Sequence, residues 1–239
     1  MTASDTTRTF DCRMQESPIM ADTKQLVIVN AGTSDPSTTR LLADRATTKT
    51  LAEAKRRGIE MEARVIDLRP LAGDIMAALT TQLVSAELER ASDILRDADA
   101  IIAATPVYKA AASGLFTSFF QVLDNDLLIG TPVLLAATAG SPRHSLVVDD
   151  QLRGFFSYLR TVTAPTSLVS SPDDWNSSEF GGRVDRAATE LMALVASGFR
   201  ENARGEGWDS YQHSYGSAGG TELGINLDSD LMRLAAGGR

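Results

Sequence analysis

The chain has 239 residues, 43% hydrophobic and 23% charged, enough to bury one core with extensions or at most two small ones. Its formal net charge of −8 argues against nonspecific binding to nucleic acid or to an anionic membrane, since both need a basic surface. Cys12 is the single cysteine, and His144 and His213 are the only histidines, which excludes an intrachain disulfide, a CxxC metal site and a His-rich metal centre.

Residues 1–24 are rich in Thr, Ser and Asp without sustained periodicity and read as a mobile arm. Asp5, Asp11 and Glu16 lie in this arm and no apolar core segment does, which points away from a secretory signal. The longest uncharged stretch, Leu127 to Pro142, is interrupted by Gly130 and Pro132 and falls short of the roughly 20 apolar residues of a membrane span. With a lone cysteine, this predicts a cytoplasmic protein.

Gln25 to Ala31 is a compact apolar run that fits a central parallel strand buried on both faces. After the loop GTSDPSTTR, Leu41 to Arg57 lacks Gly and Pro and predicts a helix, with Gly58 at its C-terminal cap. Met61 to Leu68 reads as a second strand and Leu83 to Arg96 as a second helix. Ala100 to Thr105 gives a third, buried strand. It should stop at Thr105 or Pro106, because proline has no N–H for a sheet and restricts its predecessor. Backbone N–H groups after Pro106 are then expected to be free at the carboxyl edge of the sheet, ahead of a further helix reaching Asp124.

Thr131 to Thr138 predicts a fourth strand and Leu146 to Leu159 a helix. Val162 to Val169 predicts a weaker fifth strand, placed at an edge by Pro165. Glu179 to Arg204 forms a last amphipathic helix, with Val184, Ala188, Leu191, Leu194 and Val195 near one face. Strands alternating with helices imply an α/β domain over residues 25–204. The expected form is a flavodoxin-like doubly wound five-stranded parallel sheet of order 2-1-3-4-5. Residues 205–239 turn to Gly and Ser with Trp208, Tyr211 and Tyr215 interleaved, a tail expected to dock on the domain or on a partner subunit.

Three loops meet at one edge of such a sheet: 32–39, 106–113 and 139–144. The first carries Thr33, Ser34, Ser37, Thr38 and Thr39 just ahead of a helix whose N–H groups and dipole favour an anion, so it reads as a phosphate cradle. Ordinary N-capping by Ser37 or Thr38 is the competing reading of one of those hydroxyls. The loop has no GK[ST] and no GxGxxG, so it is neither a triphosphate-binding loop nor the usual dinucleotide turn. Cys12 lies too far upstream to be a phosphatase nucleophile, Thr105 stands where a receiver domain needs an aspartate, and GxSxG is absent. A phosphate that is held and not cleaved remains.

GTSDPSTT after the first strand, ATPVYKAAASGLFTSFFQVLD after the third and TPVLLAATAGSPRHSLVVDDQLRGFFSYL across the fourth resemble the NAD(P)H-dependent FMN reductase family. The likeness runs from Gln25 to Arg204 and is nearest to reductases serving two-component monooxygenases of the alkanesulfonate or luciferase-like kind. It implies FMN phosphate on Thr33, Ser34, Ser37, Thr38 and Thr39. The flavin ring would be bordered by Pro106, Val107, Tyr108 and Lys109, with its pyrimidine end near Ala139, Gly140 and Ser141. Ala112 departs from the pattern, standing where alkanesulfonate-group relatives often carry an aromatic.

The resemblance implies NAD(P)H as reductant, release of reduced FMN to a flavin-dependent monooxygenase, and a homodimer or homotetramer. It assigns no side chain an acid or base role and no metal. Two other readings stay open: a flavin-retaining reductase of quinones, azo dyes or metal oxyanions, and an electron carrier. A carrier would shield its flavin between aromatics, and Tyr108 is the only obvious one in these loops.

Overall fold

A computed structural model describes residues 23–207. The arm up to residue 22 and the tail from residue 208, with its aromatics, lie outside the described residues. The strands are β1 (Lys24–Asn30), β2 (Met61–Asp67), β3 (Ala100–Tyr108), β4 (Ala111–Ala112), β5 (Pro132–Thr138), β6 (Val162–Thr163) and β7 (Leu168–Ser170). The helices are α1 (Thr38–Arg56), α2 (Ala72–Thr81), α3 (Ala86–Arg96), α4 (Gly114–Gln121), α5 (Arg153–Tyr158), α6 (Ser178–Ala196) and α7 (Phe199–Gly207). Parallel pairing runs β2-β1-β3-β5, and β6 and β7 share the outer side of β5. This is the expected order, with the fifth strand in two pieces.

Successive side chains on a strand face opposite layers, and the core divides accordingly. Leu26, Ile28, Ile102, Ala104, Leu134 and Ala136 cluster with Leu42, Ala46, Val184 and Leu191 of α1 and α6. Their neighbours Val27, Val29, Ile101, Ala103, Val133 and Leu135 cluster with Ile75, Leu88, Leu95, Phe116, Phe120 and Phe156 on the other face. Phe120 meets Phe116 and Phe156 edge-on, each with ring centroids 4.9 Å apart. Burying one such ring stabilises the fold by about 1.5–3 kcal/mol, and each edge contact adds about 0.5–1.5 kcal/mol. A sheet covered on both faces leaves its carboxyl edge as the place where loops gather.

Several elements differ from the sequence reading. β3 runs through Pro106 to Tyr108, because pairing with β1 ends at Ala104 whereas pairing with β5 continues to Pro106. Pro106 shares the direction of Ala104, whose carbonyl faces Ala31 N on the β1 side, so its missing N–H falls where β1 has ended. The residues after it are not free. Val107 and Tyr108 pair antiparallel with Ala112 and Ala111 of β4.

α2 was not foreseen, and its first turn has no side-chain cap. α3 starts at Ala86 behind the N-cap Ser85 rather than at Leu83. The helix expected over Leu146–Leu159 is a five-residue π turn, Val148–Leu152, followed by α5. The last helix breaks at Gly198, whose φ is 62°, and α7 folds back so that Arg204 donates to the carbonyls of Leu127 and Ile129. Gly58, at φ 71°, ends α1 as expected.

The fifth strand is split because polar groups claim its middle. The Arg153 guanidinium donates to Thr163 Oγ1 and Ala164 O at 3.1 and 2.9 Å, and the Glu190 carboxylate accepts from Thr166 N and Oγ1 at 2.6 and 2.9 Å. After β7 the chain turns at Ser171, whose N and Oγ both donate to Asp174 Oδ2 at 2.7 Å. The backbone bond first, then the hydroxyl bond, holds the Asp174 carboxyl below the usual carboxylate range. A carboxylate with a depressed folded pKa contributes stability above its unfolded value, and that stability is lost as pH falls through the folded value. Asp174→Ala should therefore lower stability at neutral pH by about 1 kcal/mol, the scale of a lost cap. The gap should close as pH drops below about 4. Urea melts at both pH values check this, and an equal gap at pH 7 and pH 3 would contradict it.

Candidate functional site

β1 delivers the chain to the carboxyl edge, where a side chain of its own makes the turn. Asn30 is buried, and its Oδ1 accepts from Gly32 N at 3.1 Å. Gly32 is required there, since a Cβ would stand 2.0 Å from Ser37 Oγ and 3.1 Å from Thr39 Cβ. Ser37 is the N-cap of α1 and accepts from Arg40 N at 3.2 Å. Among the described residues no acceptor is found for the N–H groups of Thr38 and Thr39, as befits the open first turn of a helix. Both residues line a cleft.

That cleft, of about 220 Å³, runs along the loops after β1, β3, β5 and β7. Gly32, Thr33, Ser34, Thr38 and Thr39 form one wall, and Pro106, Val107 and Tyr108 form another. Thr138, Ala139 and Gly140 lie between them and the last wall of Ser170, Ser171, Pro172 and Trp175. Thr39 Oγ1 and Thr138 Oγ1 are joined at 2.7 Å, which ties α1 to β5, and Thr33 Oγ1 meets the Tyr108 hydroxyl at 3.3 Å. None of the lining residues is Asp, Glu, Lys, Arg or His. An anion held here is held by neutral donors and by the positive end of α1.

Of the residues singled out in the sequence, Thr33, Ser34, Thr38, Thr39, Pro106, Val107, Tyr108, Ala139 and Gly140 are brought together in this cleft. Ser37, Lys109 and Ser141 are not among its lining. Ser37 spends its hydroxyl on the cap of α1 and lines an adjacent hollow of about 340 Å³, together with Asp35, Arg40, Asp67 and Arg69. Lys109 sits in the turn beyond the cleft, and Ser141 precedes a short 3-10 turn.

Thr138, Ser170, Ser171, Pro172 and Trp175 were missed. A polar residue closing an apolar strand, and SSP followed by a tryptophan, were the available signals. Trp175 also removes a premise of the sequence reading, because the cleft has a second aromatic besides Tyr108.

The turn that carries Tyr108 is strained. Lys109 and Ala110 form a two-residue hairpin loop with φ of 51° and 62°, the pattern of a type I′ turn that Asn and Gly normally fill. Left-handed backbone costs an ordinary residue about 1–2 kcal/mol. Gln151 Nε2, from the π turn, donates to Ala110 O at 3.0 Å. At the base of the hairpin, Thr105 Oγ1 accepts from Ser113 N at 3.1 Å, and Ser113 caps α4. Tyr108 is thus fixed by its backbone while its side chain stays 52% exposed.

Comparison with known proteins bears on this site. A family model described as NADPH-dependent FMN reductase matches residues 24–176. An FMN reductase (NADPH) of Pseudomonas aeruginosa is 36% identical over 173 residues, covering 72% of this chain and 90% of its own length. The NADH-dependent FMN reductase SfnE of Pseudomonas putida is 33% identical over 183 residues, covering 74% and 96%. Among solved structures, an oxidoreductase from Corynebacterium diphtheriae is 40% identical with a TM-score of 0.71, over 73% of this chain and 98% of that one. An apo NADH:FMN oxidoreductase, EmoB, is 28% identical with a TM-score of 0.61, over 74% and 94%. The matched region spans every loop of the cleft as far as Trp175. The chain belongs to the NADPH-dependent FMN reductase family, as a flavodoxin-like NAD(P)H:FMN oxidoreductase.

Proposed function

We propose that the cleft takes FMN as an exchangeable substrate, with its phosphate at the first turn of α1 and its ring against the hairpin. The observation that carries this reading is the open amide pair of Thr38 and Thr39, set among the hydroxyls of Thr33, Ser34 and Thr38 with no cation in the wall. The lining fits a phosphate: Gly32 brings the backbone close, and the α1 dipole adds about 0.3–1 kcal/mol. Bound FMN would supply the acceptor for hydride from NAD(P)H. The protein's part is placement.

Val107 and Tyr108 would border one end of the ring, and Ala139 and Gly140 the pyrimidine end. The described lining holds no Asp, Glu, Lys, Arg or His, so in this reading the chain contributes orientation and backbone dipoles. Ser37 acts indirectly, by capping the helix that holds the phosphate.

Neutral donors give a modest affinity, which suits a flavin that leaves after reduction. We infer that reduced FMN passes to a flavin-dependent monooxygenase, in keeping with the likeness of the TPVYK and AGSPRH loops to reductases of two-component systems. A homo-oligomer is supported by Met76, Leu79, Leu83 and Val84, exposed apolar side chains on α2 and just after it. Among the described residues no helix is long and apolar enough to cross a membrane. Trp175 gives the carrier reading a second aromatic, and the two readings differ in whether the flavin leaves.

Two experiments test the proposal. Thr38→Asp sets a carboxylate about 5 Å from a phosphate dianion in a water-exposed site, a repulsion of about 2 kcal/mol or roughly twentyfold in affinity. An acidic residue in the first turn suits the helix dipole, so α1 should not suffer. Fluorescence titration should show FMN weakened by that factor and riboflavin by less than about twofold; equal losses would remove the phosphate from α1. In the second experiment, the protein with NADPH or NADH and catalytic FMN should sustain turnover of a luciferase-like monooxygenase that has no reductase of its own. Rapid NAD(P)H oxidation without product formation would count against the supply role.

A further inference from the structure

We propose that Gln151 is a positioning residue for the flavin: its side-chain amide holds the strained turn that presents Tyr108 to the cleft. This rests on the reading of the cleft as flavin-binding. Lys109 and Ala110 both occupy the left-handed region, at φ 51° and 62°, and neither is the Gly or Asn that adopts it cheaply. Such a turn would relax if the surrounding structure did not hold it. Its neighbours on β3 and β4 pair Val107 with Ala112 and Tyr108 with Ala111, and Ser113 N donates to Pro106 O at 3.1 Å below them, so these backbone bonds hold the base of the hairpin and leave its two loop residues to be held from outside. Gln151 Nε2 supplies the missing restraint by donating to Ala110 O at 3.0 Å.

The restraint comes from an anchored element. Gln151 lies within the π turn Val148–Leu152, an insertion geometry that redirects side chains relative to a regular helix. That turn is pinned at its end by Arg153, which binds Asp149 at 2.7 Å and reaches across to Thr163 and Ala164 at the break in the edge strand. Val148 and Leu152 are buried on either side of it. Gln151 itself is exposed, so its single bond adds little to the core. Its consequence falls on the hairpin, whose Tyr108 and Val107 line the cleft. A two-residue loop held from outside its strands by one solvent-exposed bond can open without unfolding the domain, which fits a flavin that must enter and leave at each cycle.

The test is a double-mutant cycle read by equilibrium titration of flavin fluorescence, with steady-state kinetics and thermal melts on the same samples. Gln151→Leu keeps the bulk and removes the donor. It should weaken FMN binding and raise its KM about three- to tenfold, the range of one lost hydrogen bond, while kcat at saturating FMN and the melting temperature stay near native. Ala110→Gly allows φ above zero without strain. In the Gln151→Leu background it should bring FMN affinity back to within about twofold of native.

Native-like binding by Gln151→Leu would overturn the assignment. So would failure of Ala110→Gly to rescue it, since Gln151 would then act by some route other than the turn. A native protein that does not bind FMN at all is a separate result, and it would overturn the reading of the cleft and this assignment with it.

Discussion

Ser37 Oγ lies 2.0 Å from where a Cβ of residue 32 would be, and this close passage of a side chain over the Gly32 backbone is the constraint on which the site depends. Only glycine allows it. Because the loop doubles back there, Ser37 reaches the N-terminus of α1 as its cap, and Thr38 and Thr39, whose N–H groups have no acceptor among the described residues, line the cleft. Asn30 holds the approach from below by accepting from Gly32 N, and Thr39 ties the departing helix to Thr138 on β5. An ordinary strand-to-helix connection thereby becomes a rigid donor array.

The absence of charge in the cleft lining then shapes the chemistry. A protein of net charge −8 offers a dianion no long-range attraction, and among the described residues no Lys or Arg lines the cleft. Arg40 and Arg69 lie in the next hollow, Arg40 paired with Asp44 and Arg69 donating to the Thr33 carbonyl at 3.3 Å. Attraction is left to dipoles and hydroxyls acting within hydrogen-bond range. In the proposed reading such an array would recognise a phosphate without gripping it, as a substrate site requires and a site for a permanently bound cofactor does not. In the hairpin a tyrosine is held beside the cleft on a strained turn, whose base is fixed by strand pairing and whose loop is met by the exposed bond from Gln151.

How much of this was legible in the sequence depends on the range of the interactions. The sheet order and the loop Thr33–Thr39 could be read because buried strands are continuous apolar runs and hydroxyls ahead of a helix have a local meaning. The hairpin could not, since Lys109-Ala110 is not a sequence that makes a type I′ turn by preference; tertiary contacts impose it. α2 escaped because Leu71 offers no capping side chain. The wall of Ser170, Ser171 and Trp175 escaped because β7 exists as a separate strand only where Arg153 and Glu190, distant in sequence, occupy the break. Ser37 was assigned two roles by the sequence, and the structure gives its hydroxyl to the cap.

In the proposed function, flavin visits this cleft as a substrate. Its most direct test follows NADPH and NADH oxidation by gel-filtered protein as FMN is added, with the flavin content of the protein fraction measured beforehand. The account predicts protein nearly free of flavin, oxidation that depends on added FMN and saturates with it, and reduced flavin recovered in the small-molecule fraction under anaerobic conditions. Stoichiometric FMN retained through gel filtration, with oxidation indifferent to added flavin, would contradict it.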